Sequence, residues 1–165
     1  MNLKSLITDV PDFPQPGVVF KDISPLLKSP DALLYICQAI VEGVNLDNVD
    51  YFVGIESRGF VLGSMLAAYH KKGFIPLRKA GKLPPPVIAE SYTLEYGTAT
   101  LEISLGTGRV MVVDDVLATG GTLQAGINLA QRAGYTIEQV AVLINLTFLN
   151  TMRFKNEEVF SLVSY

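Results

Sequence analysis

The 165-residue chain predicts an α/β protein with a doubly wound, mostly parallel sheet, on three observations. Short apolar runs alternate along the chain with helical stretches, the order that builds parallel sheets. One of those runs, residues 110–113, is apolar throughout, as a strand covered on both faces is. Composition agrees: 49% of residues are hydrophobic and 18% charged, a globular balance. The length suits one domain over residues 1–165 with a sizeable core. No repeat, low-complexity tract or linker suggests a second.

The elements follow in order. Residues 11–30 are proline-rich and predict little regular structure, although FPQPGVVFKDISPLL carries several large apolar side chains. Ser29, Pro30 and Asp31 supply a cap, a first-position proline and a first-turn acid, predicting a helix to about Glu42. YFVGI, residues 51–55, predicts a strand. A turn at Ser57-Arg58-Gly59 leads into a helix over 60–72, and residues 74–77 predict another short strand. The basic stretch RKAGK and a run of three prolines come next. Residues 92–105 alternate in polarity, with a break at Gly97-Thr98, so a β-hairpin is expected. A strand at 110–113, a helix over 123–133 ended by Gly134, and a last strand over 140–146 complete the set.

Some function classes fall away. The net charge of −3 offers no global basic field for nucleic acid. The one cysteine, Cys37, rules out an internal disulfide framework, and its setting LLYICQAI suits helix packing. No apolar run approaches the roughly 20 residues that span a bilayer. MNLKSLITDVPDF lacks the apolar core of a signal peptide, so a cytoplasmic protein is expected.

VMVVDDVLATGGT, residues 110–122, carries the chemistry. An apolar strand ends in two acids, then a small-residue loop opens a helix, where open α/β sheets bind ligands. Gly120 and Gly121 allow close backbone approach, and successive N–H groups in such a nest bind phosphate. Thr119 and Thr122 add hydroxyls. A Walker loop is excluded because GxxxxGK[ST] is absent. Asp114 and Asp115 suit vicinal hydroxyls, which implies a ribose 5-phosphate; an acid pair capping the helix or holding Mg²⁺ alone is the alternative.

The same stretch resembles the 5-phosphoribosyl 1-pyrophosphate (PRPP) signature of the type I phosphoribosyltransferases. That resemblance assigns Ala118, Thr119, Gly120, Gly121 and Thr122 to the 5-phosphate and Asp114 and Asp115 to the ribose. FPQPGVVFKDISPLL, IESRGF, and RKAGKLP followed by SYTLEYG resemble the adenine-using members, in the same order and at compatible spacing. The likeness runs from Phe13 to Tyr165, and it implies the family fold with a small N-terminal hood and a hairpin lid.

Taken alone, Arg58 fits either a pyrophosphate clamp or a surface salt bridge. Arg78, Lys79 and Lys82 could be a solvated charge run, and Glu95 and Tyr96 ordinary hairpin residues. The resemblance makes Glu56, Ser57 and Arg58 a pyrophosphate loop, often with a strained peptide between Glu56 and Ser57. It brings Lys79 and Lys82 to the PRPP phosphates and makes Glu95 and Tyr96 the catalytic pair of a closing lid, with Arg58 beside them. It also has Phe20 stack on adenine, the backbone of Val19 and Lys21 read the base edge, and Leu146 line the pocket. For Phe20 and Leu146 the residues themselves favour core packing.

The implied reaction moves 5-phosphoribosyl from PRPP to adenine N9, giving AMP and pyrophosphate. Mg²⁺ is expected to arrive with PRPP rather than on direct protein ligands, and a homodimer is implied. Three departures stand out: Lys21 where arginine is frequent, Asn145 where an acid is common, and the stiff Pro84-Pro85-Pro86 run. Use of another purine, and a nucleotide-sensing protein that binds nucleic acid, are the competing readings.

Overall fold

A computed structural model describes residues 1–94 and 97–165. The chain forms two compact units, Met1–Ala39 and Ile40–Tyr165.

In the first unit a 3-10 turn, Leu3–Leu6, precedes strands β1 (Thr8–Pro11) and β2 (Val19–Asp22), then helices α1 (Ser24–Leu27) and α2 (Pro30–Ala39). β1 and β2 pair antiparallel, with Val10 opposite Phe20 and Asp9 opposite Lys21. The region expected to be irregular therefore holds a strand and a short helix. Its prolines sit where a ladder does not need their N–H: Pro14 and Pro16 lie in the connecting loop. Asp12 closes that loop by accepting from Gly17 N, at 2.8 Å. Asp22 Oδ1 accepts from the N–H and hydroxyl of Ser24, at 2.9 and 2.6 Å, and so starts α1. Ser29 Oγ accepts from Ala32 N at 3.3 Å, the expected cap, but α2 ends at Ala39 rather than near Glu42. Cys37 is buried there, and burial pushes its thiol up.

The second unit opens with a 3-10 turn, Leu46–Asn48. It continues through β3 (Tyr51–Ile55), α3 (Arg58–His70), β4 (Gly73–Lys79), β5 (Val87–Leu94), β6 (Gly97–Ser104) and β7 (Gly108–Leu117). After them come α4 (Gly121–Arg132), β8 (Tyr135–Asn145), β9 (Arg153–Phe154), β10 (Glu157–Glu158) and β11 (Phe160–Ser164). Seven strands form one sheet in the order β11-β8-β7-β3-β4-β6-β5. The first five run parallel, and the β5–β6 hairpin joins antiparallel through β6.

The sheet is sandwiched because alternate residues serve opposite faces. On β3, Val53 and Ile55 join the cluster that includes Leu123, Ile127 and Leu129 of α4. Gly54, between them, faces α3, where an added Cβ would lie 2.5 Å from the Gly59 carbonyl oxygen. A Cβ on Gly63 would meet the Phe74 ring at 2.7 Å and Gly54 Cα at 3.3 Å. Gly54, Gly59 and Gly63 thus let α3 lie directly on the strand. Val110, Met111, Val112 and Val113 are buried on both faces of β7, as the apolar run predicted.

Several strands are longer than the sequence predicts: β5 begins at Val87 rather than residue 92, and β8 at Tyr135 rather than residue 140. β7 continues to Leu117, because Asp114, Val116 and Leu117 still pair with β8. β11, which the sequence reading did not include, runs parallel to β8 at the sheet edge. The lower ends of β3 and β7 are tied by Asp50 and Arg109, whose guanidinium meets the carboxylate at 2.8 and 3.2 Å. That pairing, hydrogen bonds first, lowers the Asp50 pKa to about 2. Among the described residues no helix is long and apolar enough to cross a membrane.

Candidate active site

The sequence moves from β3 through α3 to β4 on one side, and from β7 through α4 to β8 on the other. The winding reverses between β3 and β7, which is where doubly wound sheets leave a crevice. β3 pairs with β7 up to Gly54 opposite Val113 and ends at Ile55. Asp114 and Asp115 lie just past that point, on the longer strand, at the mouth of the crevice.

Both acids are buried, at 8% and 5% exposure. Asp114 Oδ1 accepts from Asp115 N at 2.9 Å, and an added Cβ on Gly59 would lie 2.7 Å from the same oxygen. Asp115 Oδ2 stands 2.7 Å from Arg58 Nε, an ion pair without hydrogen-bond alignment, so that buried oxygen makes no hydrogen bond. Burial pushes both carboxyls above the usual range. The neighbouring Asp115 charge raises Asp114 further, whereas the Arg58 charge pulls Asp115 back. One buried oxygen of the pair thus lacks a hydrogen-bond donor among the described residues, which suits a ligand that brings its own hydroxyls.

The loop after β7 begins α4 directly. Gly120 holds φ +93°, a conformation that favours glycine, and no side chain caps the helix. The first-turn N–H groups of α4 thus face the crevice end without a side-chain acceptor, a ready anion site. Ala118, Gly120, Gly121 and Thr122 are half-buried and Thr119 is exposed. Asn150 holds this loop from behind: its Nδ2 lies 2.8 Å from Ala118 O, 3.0 Å from Asn145 Oδ1 and 3.0 Å from Leu146 O. Asn145 is buried in that contact, and Leu146 is buried with its N–H on Leu117 O at 2.9 Å.

The turn after β3 has a cis peptide between Glu56 and Ser57. The Glu56 carboxylate is committed to the end of β4, accepting from Lys79 N at 2.9 Å and from Arg78 Nε at 3.2 Å. The Lys79 amide, then Arg78, holds it below the ordinary carboxylate range. The Glu56 side chain is thus already engaged, whereas Ser57 is exposed and Arg58 half-buried. Lys79 and Lys82 are exposed on the loop beyond.

Strand β5 of the hairpin rests on α4. Thr122 Oγ1 donates to Tyr92 Oη at 3.4 Å, and Glu90 accepts from Arg132 at 2.8 Å and Asn128 at 3.3 Å. Glu95 and Tyr96 lie outside the described residues. In the other unit, Lys21 is buried with Nζ 2.7 Å from Asp9 Oδ1, Val19 is exposed, and Phe20 meets Phe13 edge-on at 5.2 Å. Pro85–Pro86 is cis.

The phosphoribosyl transferase domain model matches residues 27–153. The adenine phosphoribosyltransferase of Bdellovibrio bacteriovorus is 61% identical over the full length of both chains. The chain belongs to the adenine phosphoribosyltransferase family. Among solved structures, adenine phosphoribosyltransferase from Rhodothermus marinus superposes with a TM-score of 0.89 at 46% identity, covering 99% of this chain and 96% of that one. The Trypanosoma brucei adenine phosphoribosyltransferase, in complex with AMP, pyrophosphate and ribose-5-phosphate, has a TM-score of 0.84 at 30% identity. It covers 98% of this chain and 78% of its own. The α/β fold with its mostly parallel sheet is that of the type I phosphoribosyltransferases. Asn150 and the carboxylate of Glu102, which gathers the 78–83 loop, escaped the sequence reading; their partners lie up to 32 residues away and leave no local pattern.

Proposed function

We propose that the whole chain works as one phosphoribosyltransferase domain that transfers 5-phosphoribosyl from PRPP to adenine N9, releasing pyrophosphate and forming AMP. The observation that carries this reading is the buried acid pair, with one oxygen lacking a hydrogen bond among the described residues, beside a helix N-terminus without a side-chain cap at the sheet reversal. A sugar phosphate with free vicinal hydroxyls supplies what each half lacks.

In this reading Asp114 and Asp115 accept from the ribose hydroxyls, and Ala118, Thr119, Gly120, Gly121 and Thr122 hold the 5-phosphate. Thr122 then exchanges its Tyr92 contact for a phosphate oxygen. Arg58, the 56–57 backbone, Lys79 and Lys82 bind the pyrophosphate and stabilise its growing charge as the glycosidic bond breaks. The sugar passes through an oxocarbenium-like state, attacked by N9 from the face opposite the leaving group. Positioning the two reactants supplies most of the acceleration. Glu95 assists loss of the adenine proton while Tyr96 closes the lid, which keeps water from the cation. Phe20, the Val19 and Lys21 backbone and Leu146 recognise adenine.

Among the described residues no three His, Cys, Asp or Glu cluster as metal ligands. The donor set fits an Mg²⁺ ion carried mainly by PRPP oxygens, with Asp114 and Asp115 as the nearby carboxylates. Such an ion would supply charge neutralisation of the pyrophosphate as it leaves. We expect a cytoplasmic homodimer that does not bind nucleic acid.

The test is an assay with PRPP, Mg²⁺ and, in turn, adenine, hypoxanthine, guanine and xanthine. AMP from adenine alone is the expected result. Use of another base overturns the Val19–Lys21 assignment, and no turnover with any base overturns the reading.

A further inference from the structure

We propose that Glu102 is a positioning residue for PRPP, organising the 78–83 loop so that Lys79 and Lys82 are presented to the pyrophosphate. Glu102 lies on β6, 4% exposed, beneath the connection from β4 to β5. Its Oε2 accepts from Gly81 N at 2.9 Å, and its Oε1 accepts from Lys82 N at 2.7 Å and Leu83 N at 2.5 Å. Glu56 takes Lys79 N at 2.9 Å, and Thr100 O takes Ala80 N at 3.0 Å. All five consecutive N–H groups from 79 to 83 are thereby fixed, four of them by carboxylates.

The choice of partner matters. A carboxylate beside two lysines ordinarily pairs with an ammonium group, which would remove that charge from a ligand's reach. Here Glu102 is spent on main-chain donors and Glu56 on the Lys79 amide and the Arg78 guanidinium, and among the described residues neither the Lys79 nor the Lys82 ammonium is in an ion pair. The loop is built rigid at the backbone and left free at its charged tips, the arrangement that binds a polyanion with little ordering cost. Hydrogen bonds to an ionised acceptor are the strong kind, and they hold Glu102 below the ordinary carboxylate range, Gly81 contributing most.

This role rests on the proposed binding of PRPP by the two lysines, so the test treats them together. Steady-state kinetics are measured on the full chain carrying Glu102→Ala, Glu102→Gln, Lys79→Ala with Lys82→Ala, and the combination of Glu102→Ala with both lysine changes. Glu102→Ala should raise KM for PRPP about tenfold, as expected for losing several charge-assisted bonds, while KM for adenine stays unchanged. Glu102→Gln, which keeps one acceptor but turns an NH₂ toward Gly81, should fall between. The combined variant should be no worse than the lysine variant, because Glu102 acts through the lysines. Trypsin should cut faster after Lys79 and Lys82 in Glu102→Ala.

An unchanged KM for PRPP in Glu102→Ala, with the lysine variant impaired, overturns the positioning role and leaves the lysines standing. An unimpaired lysine variant removes the lysine assignment, and the positioning role with it. A parallel rise in both KM values marks a general fold defect and also overturns it. Should Glu102→Ala fail to fold, the Gln variant decides the same comparisons.

Discussion

The second unit holds two pairs of carboxylates that meet opposite fates. Glu102 is held by three backbone N–H groups and Glu56 by the Lys79 amide and the Arg78 guanidinium, and both sit below the ordinary carboxylate range. Asp114 and Asp115 are buried, as Glu102 is and Glu56 is only in part; one oxygen of Asp115 lacks a hydrogen bond among the described residues, and both acids are raised. The first pair completes the fold, and the second is left incomplete by it. The ribose role proposed for Asp114 and Asp115 predicts this contrast, because a binding carboxylate keeps an oxygen for its ligand.

The sharpest way to break this contrast is to remove the charge of the raised pair. Asp114→Asn with Asp115→Asn should lower kcat/KM at least a hundredfold, the scale of losing transition-state hydrogen bonds. Its melting temperature at neutral pH should nevertheless rise. An acid raised in the fold makes the native state bind more protons than the unfolded chain, so wild-type stability falls as pH climbs past the ordinary carboxylate range. The Asn variant escapes that loss, and its advantage should shrink on acidification. Melting curves from pH 4 to 8, a span on the order of the carboxylate-to-neutral range, check both directions. A destabilised double variant would contradict the account.

A smaller effect follows from disturbing the pair without touching it. In Gly59→Ala the new Cβ reaches the Asp114 carboxylate at 2.7 Å and Val113 O at 3.3 Å, so the acid must shift. Overpacking of this kind costs about 1–3 kcal/mol. Turnover should fall roughly tenfold, the scale of a modest misplacement of a positioned group. Unaltered kinetics would mean that the acid's position is not critical.

The least effect belongs to the far end of the sheet. Asp50→Asn breaks the pair with Arg109 and should leave kcat and both KM values unchanged. Because the native Asp50 pKa is lowered to about 2, its contribution is present above the unfolded value and disappears as pH falls through about 2. The variant should therefore melt slightly below wild type at pH 7 and converge with it toward pH 2. A kinetic defect would show that the lower ends of β3 and β7 communicate with the site.

Legibility in the sequence tracked the range of the forces. Strand β7, helix α4 and the loop between them announce themselves through contiguous residues, since apolar runs, adjacent acids and glycines act locally. The end of β7 was hidden because the acids interrupt its apolar run while the ladder to β8 continues. β11 has only five residues and is specified by its partner rather than by its own pattern. The β1–β2 pair is obscured by proline and glycine, although all but Pro11, the last residue of β1, occupy its loop. Glu102 looked like the polar face of an alternating strand, and only the loop folded 19 to 21 residues away explains its burial. The family resemblance named the lysines, but not what holds their loop.

The glycine seam of Gly54, Gly59 and Gly63 bears on how such a protein changes over generations. Where main chain touches main chain there is no side chain to vary, so the ground beneath Asp114 is closed to gradual substitution. Drift elsewhere in the sheet can resize the core and still leave Asp114 in place against the helix that crosses β3. Innovation is pushed to the loops, where single replacements reshape a surface without moving the sheet.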